Sequence, residues 1–348
     1  MKRGRVSVIT LLAILLVFAL LIAGCGPTEE PPVGEPDGEE PEVEESFRVA
    51  MFHLVQANEY DQSRNDGMVA TAAGQNVQVD FFSCEYDTQE QINQIQDAIA
   101  AGVYDAFIIH PNDSNAVVPS IEEALAEGII VIGADGPFGP NTRSLDPYPE
   151  GVTSIIGRTG WTTGSWLGEA VVAAAEGMEE AKVAYLIGFQ ALTIDQDRFE
   201  ALEEVIAPYD HIEVVSFQEG LYRRDTSREI MQNVFQANPD INIVVSSGDQ
   251  MTLGAYDAAV EAGIADGIMF IGNGCSREGW QAIKDGYFFA SYADIPYTQG
   301  VLLIETVAAA LRGETVPRSI NLEDQRPPLP QEGPMITADN IEQFTGEW

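Results

Sequence analysis

Asn58, Tyr60 and Asp61, followed by Asp135, Gln196, Tyr222, Asn273 and Asp294, are the residues of this chain best suited to holding a small molecule. Each falls in a segment that directly follows a β-rich run. Carboxylates and amides accept and donate hydrogen bonds, and a phenol ring adds an apolar face with a polar edge. That chemistry is recognition. Bond-making would need more, and the sequence has no HExxH, no paired CxxC and no GxSxG, the common marks of a metal centre or an activated nucleophile. His53, His110 and His211 are far apart in sequence. Gly272-Asn273-Gly274 is a fragment of a dinucleotide fingerprint, but Arg277 stands where its third glycine belongs and no ribose-binding acid can be placed. The reading predicts no cofactor, no metal and no enzymatic activity.

The elements that must position these residues alternate. β-rich runs are expected at 47–54, 77–84, 104–110, 129–134 and 154–157, then at 182–188, 212–216, 241–246, 268–272 and 288–294. Helical patterns separate many of them, for example 87–103, where Ile92, Ile95 and Ile99 share a face and Gly102 closes the helix. Strands separated by helices of this length form βαβ units and a parallel sheet. Ten strands are many for one sheet, so the chain is read as α/β with two doubly wound lobes. In such sheets a ligand lies outside the carboxyl ends of the strands. The segments there, among them 55–61, 111–114, 135–138, 189–196, 219–222, 248–250, 273–276 and 294–297, are rich in Asp, Asn, Gln and aromatic residues and poor in bases. They favour a neutral, hydroxyl-rich ligand over an anion. Asp and Asn also favour turns, buried rings are also core, and Asp294 precedes a helix where an aspartate also serves as an N-cap. Asp249 reads as structural on the same ground, and Trp161 and Phe138 as either core or cleft.

The chain carries 17 Lys+Arg against 55 Asp+Glu, a net charge of -38. A surface this negative repels phosphate backbones, which argues against a nucleic-acid partner. At the start, Lys2, Arg3 and Arg5 precede an apolar run from 6 to 23 and then Ala23-Gly24-Cys25. This order describes a secretory signal over 1–24, and its end resembles the lipobox of bacterial lipoproteins, which makes Cys25 the lipidated first residue. An uncleaved transmembrane anchor is the alternative. Either way the body is extracytoplasmic. Residues 25–46 form an acidic, proline-dotted tether with almost nothing to bury. The other cysteines, Cys84 and Cys275, are expected to be separate buried thiols, although a disulfide suits the compartment.

Asn58-Glu59-Tyr60, His110-Pro111-Asn112-Asp113-Ser114-Asn115, Ile132-Gly133-Ala134-Asp135, Gly248-Asp249-Gln250-Met251-Thr252-Leu253-Gly254-Ala255 and Ile336-Thr337-Ala338-Asp339-Asn340-Ile341 occur in this order. The ordered set resembles the type I periplasmic binding proteins of the ribose, galactose and xylose group. The resemblance implies two lobes joined by three chain crossings, 47–158 with about 295–322 and 159–294 with about 323–348. It implies a monomer that captures a sugar or polyol and passes it to an ABC transporter permease, with two alternatives: a sensor that presents its bound form to a membrane receptor, or a binder of a nucleoside or other non-sugar solute. It also implies that Asn58 and Asp135 hydrogen-bond the ligand, that Tyr60 and Tyr222 stack on it, that Gln196 replaces a ligand-binding arginine, and that Asp294 reaches across the hinge. Gly136, Asp61, Gly248 and Gly274 depart from the ribose-binding pattern, so several charged contacts are expected to be missing and ribose itself is disfavoured.

Overall fold

The computed structural model describes residues 46–348; the expected signal, the tether up to residue 45 and Cys25 lie outside the described residues. The first sheet is built from β1 (Phe47–His53), β2 (Val77–Ser83), β3 (Ala106–Ile109), β4 (Ile130–Asp135) and β5 (Ser154–Gly157), with α1 (Glu59–Ala72), α2 (Thr88–Ala101) and α3 (Val118–Ala126) between them. The chain then crosses to a second unit of α4 (Gly160–Ala174), β6 (Ala181–Ile187), α5 (Thr193–Ile206), β7 (Ile212–Glu219), α6 (Arg224–Ala237), β8 (Ile243–Ser246), α7 (Asp249–Ala262), β9 (Met269–Gly274), α8 (Arg277–Asp285) and β10 (Ala290–Ala293). It returns with α9 (Pro296–Leu311) and β11 (Ser319–Asn321), and crosses a last time to β12 (Met335–Thr337). The strand orders are β11-β5-β4-β3-β1-β2 and β12-β10-β9-β8-β6-β7. Every pairing is parallel except that of β12 with β10.

Both faces of each sheet are covered, as parallel sheets require. Along β1 and β3, Val49, Met51 and Ile108 face Met68, Leu303 and Ile304, while Phe52, Phe107 and Ile109 face Ile95 and Ile121. The alternation is the period-two pattern of a strand buried on both sides. In the second sheet Val183, Tyr185 and Val245 pack with Leu167 and Leu202, while Leu186 and Val244 pack with Met231 and Met251.

All ten expected runs are strands. The three-residue β11 and β12 were not expected, because so short a segment shows no period. Helix α1 also escaped the apolar pattern, because its buried face carries Asp61, Ser63, Arg64 and Gly67 alongside Met68 and Ala72. The polar part of that face serves the cleft.

Candidate ligand-binding cleft

Helix α1 opens at Asn58, whose Oδ1 accepts a hydrogen bond from the Asp61 amide at 2.7 Å. This N-cap satisfies one of the donors that a helix start leaves free. The first turn then places Tyr60 and Asp61 at the strand ends, and Arg64 lies three residues beyond Asp61 on the same face. Arg64 is fully buried and pairs with both Asp61 and Asp135. Its Nη2 also lies 2.9 Å from His53 Nδ1. The helix sits this deep because Gly300 of α9 lies against the Arg64 carbonyl, where any Cβ would collide.

Asp135 ends β4 with a left-handed φ of 63°, a conformation that aims its carboxylate into the cleft at some backbone cost. Its Oδ1 accepts from the Tyr60 hydroxyl at 2.5 Å and from Arg158 at 3.1 Å. Its Oδ2 takes Arg64 and lies 3.1 Å from His110 Nδ1. The carboxylate is therefore saturated from within the protein. Arg158 follows β5 at the first crossing and bonds Asp294, at the second crossing, at 2.7 Å. The residue that caps α9 is Ile295, with no side-chain bond, so Asp294 pairs with the guanidinium instead of capping.

The opposite wall repeats the theme. Arg198 meets Asp195 at 2.5 Å on α5, and the Tyr222 hydroxyl donates to the same Oδ1 at 2.6 Å. Asp195 Oδ2 accepts from the Phe189 amide at 2.8 Å. Gly164 of α4 lies against the Arg198 carbonyl, as Gly300 does against that of Arg64. Each arginine is thus carried on a helix pressed onto its neighbour at a glycine.

Between these walls lies a cavity of about 90 Å³, room for roughly six waters or one small ring. Leu54, Tyr86, Leu192, Ile194 and Tyr222 line it on one side, and all belong to one apolar cluster that also contains Phe189 and Cys84. Tyr86 stacks on Phe189 at 4.1 Å between ring centroids, joining the two units above the cavity. The amide of Ser114, donating to Thr193 Oγ1 at 3.3 Å, adds a second bridge. Trp348 contributes an edge-on contact to Tyr60 at 5.7 Å.

Burial raises the cost of every charge here, and partners decide which charges survive. For Asp135, burial is outweighed by His110, Arg64 and Arg158, and its carboxyl is held well below the usual range. Asp61 is likewise lowered, with Arg64 offsetting burial. For Asp195 and Asp294 burial wins, and both are raised despite Arg198 and Arg158. Burial and, to a lesser extent, Arg64 push His110 down to about 4, which leaves it neutral at pH 7.

Asn58, Tyr60, Asp61, Asp135, Tyr222, Asn273 and Asp294 all line the cavity. Gln196 does not: it is exposed, and its amide donates to the Gln190 carbonyl at 2.5 Å. The α5 position that points inward is Arg198, two residues on. The expected scarcity of bases is also overturned, since Arg158 and Arg198 line the cavity and Arg64 backs it. Applying the strand-end rule to 154–157 nominates Arg158 directly. Arg64 gives no such sign, being a helix residue in a chain position that reads as surface. Asp249 is buried away from the cavity, taking bonds from the Ser276 amide and the Ser291 hydroxyl at 2.7 Å each. Phe138 is core, and Trp161 lies under Arg143, whose guanidinium sits 3.2 Å from the ring centroid. Cys84 and Cys275 are both free and buried.

Residues 49–315 match the family described as periplasmic binding protein domain. The chain belongs to that family. Among its curated relatives is the ribose import binding protein of Bacillus subtilis, 27% identical over 309 residues, which covers 89% of this chain and 95% of the relative. Another is the D-ribose/D-allose-binding protein of Pseudomonas aeruginosa, 27% identical over 281 residues, with 79% and 85% covered. Solved structures share the fold. A solute-binding protein of Bacillus halodurans, with bound myo-inositol, superposes with a TM-score of 0.75 at 21% identity, covering 88% of this chain and all of the other. One from Actinobacillus succinogenes, with bound D-allose, gives 0.73 at 22% identity over 86% of this chain. The architecture is that of a type I periplasmic binding protein, two α/β lobes with parallel cores.

Proposed function

We propose that this periplasmic binding protein captures a small neutral sugar or polyol between its lobes and delivers it to the permease of an ABC importer. The observation that carries the reading is the state of the polar groups around the cavity. Arg158 Nε, Arg198 Nε, Gln250 Oε1 and Asn273 Oδ1 all belong to lining residues and have no partner. Buried polar atoms are rarely left so, and hydroxyls, which donate and accept, satisfy both kinds. Four carboxylates, Asp61, Asp135, Asp195 and Asp294, outnumber the three guanidinium groups paired with them. That balance disfavours an anion. The ligands for which the relatives are named, ribose and allose, are neutral and of this class.

On this reading the lobes divide at the three crossings, and Asn58, Tyr60, Tyr222, Asn273 and Asp294 contact the ligand. Lipid on Cys25 would hold a monomer at the membrane surface through the acidic tether. A thermal-shift screen of pentoses, hexoses, polyols and nucleosides tests the binding claim. A ligand at a hundred times its dissociation constant stabilises by about 2.7 kcal/mol; silence from every sugar and polyol together with a shift by a nucleoside would replace the reading. Labelling with a fatty-acid analogue tests the anchor, and equal labelling of Cys25→Ser and wild type would refute it.

A further inference from the structure

The lining of the cavity is not uniform, and the difference bears on which sugar fits. On one side Leu54, Leu192 and Ile194 continue into the rings of Tyr86 and Tyr222 as one apolar cluster. Neither phenol is spare: the Tyr86 hydroxyl is engaged with Asn58, and that of Tyr222 donates to Asp195. Elsewhere around the cavity the carboxylates that would ordinarily take ligand hydroxyls are already occupied. Asp135 has Tyr60, Arg158, Arg64 and His110 around its two oxygens, and Asp195 has Arg198, Tyr222 and the Phe189 amide. What remains for hydroxyls is concentrated in Arg158, Arg198, Gln250 and Asn273.

A ring lying edge-on to the leucine and isoleucine side and hydroxylated at every carbon would press a hydroxyl against it. There it would lose its water and gain no partner. A hydrogen or methyl at the same position would be buried favourably. The cavity's 90 Å³ and the Tyr86–Phe189 bridge above it leave no room to turn a large ligand away from that wall.

We propose that the ligand is a small neutral sugar or polyol with one apolar edge, a deoxy or methyl position that lies on Leu54, Leu192 and Ile194. This rests on the sugar-binding reading above and narrows it. The test is calorimetry of the purified protein with matched pairs: L-fucose with L-galactose, L-rhamnose with L-mannose, 2-deoxy-D-ribose with D-ribose, and propane-1,2-diol with glycerol. In every pair that binds, the deoxy member is expected to bind about ten- to a hundredfold tighter. Ile194→Thr, which places a hydroxyl on the apolar side and removes one carbon, is expected to reduce that ratio severalfold. Equal or tighter binding of the hydroxylated members overturns this inference and leaves sugar binding standing. No binding by any member of the panel, with a thermal shift from other sugars or polyols, overturns this inference alone, and silence from every sugar and polyol overturns both.

Discussion

The cleft holds two versions of one arrangement, a tyrosine hydroxyl donating to an aspartate that also pairs with arginine. In the first lobe Tyr60 donates to Asp135 at 2.5 Å, and that carboxylate is shared by Arg64 and Arg158. In the second Tyr222 donates to Asp195 at 2.6 Å, with Arg198 alone opposite. Burial is the largest influence on both carboxyls, yet Asp135 is lowered and Asp195 raised. Asp135 is faced by His110 as well as by Arg64 and Arg158, and together they outweigh its burial, whereas Arg198 with the bonds from Tyr222 and the Phe189 amide does not outweigh that of Asp195. The first cluster is therefore committed to its charges and reaches through Arg158 into the hinge, whereas the second can shed charge by taking up a proton.

Removing Arg158 should have the largest effect. Arg158→Ala strands Asp135 and Asp294 without their shared partner, and breaking a buried pair on one side costs about 3–5 kcal/mol. Denaturant unfolding measures this, and Arg158→Lys should recover part of it. A loss below about 1 kcal/mol would show that the hinge cluster is solvated and that the contrast between the walls is false.

The pH dependence sharpens the same contrast. His110, in the first cluster, has a folded pKa of about 4 against 6.5 unfolded. The unfolded chain holds more protons between those values, so this contribution is full above 6.5 and lost as pH falls toward 4. Asp249, in the second lobe, is raised by burial to about 6 from 3.8. Here the folded chain holds more protons, so the contribution is full below 3.8 and lost as pH rises through 6. Each amounts to about 3 kcal/mol, and the two oppose each other between pH 4 and 6. Asp249→Asn should leave a stability that climbs with pH in that window, and His110→Gln one that falls. If neither variant changes the slope measured by unfolding at pH 4.5, 5.5 and 6.5, the two groups are not titrating there.

The fold was legible because strand runs and glycine stops are local signals: all ten longer strands and the cleft at their carboxyl ends follow from them. The cleft's charges were not. Arg64 lies on a helix whose buried face is polar, so no apolar period marks it, and its partner Asp135 is 71 residues away. Gln196 follows from matching a single position, and a helix turns about 200° in two residues. That rotation puts Arg198 in the cleft and Gln196 in solvent. Saturation of Asp135 could not be read either, since it depends on four residues from three separate segments.

Arg198→Ala should cost less than Arg158→Ala, about 1–3 kcal/mol. Asp195, already raised, can protonate and keep its bonds to Tyr222 and the Phe189 amide. The cost should therefore shrink as pH is lowered from 8 to 5, and a pH-independent loss as large as that of Arg158→Ala would erase the distinction between the walls.

The smallest effect separates the two phenols. Tyr60→Phe removes a hydrogen bond to a carboxylate that stays ionised, a kind worth about 1.5–3 kcal/mol. Tyr222→Phe removes one to a carboxylate that is easier to neutralise, nearer the 0.5–1.5 kcal/mol of an ordinary bond. Both rings remain, so apolar contact with a ligand is preserved in each variant. Tyr60→Phe should thus lose about 1 kcal/mol more stability than Tyr222→Phe at pH 7, and the gap should persist at pH 5, where Asp135 is still charged. Equal losses would mean that the second arginine beside Asp135 does nothing for the strength of its hydrogen bonds, and the comparison would reduce to a difference in packing alone.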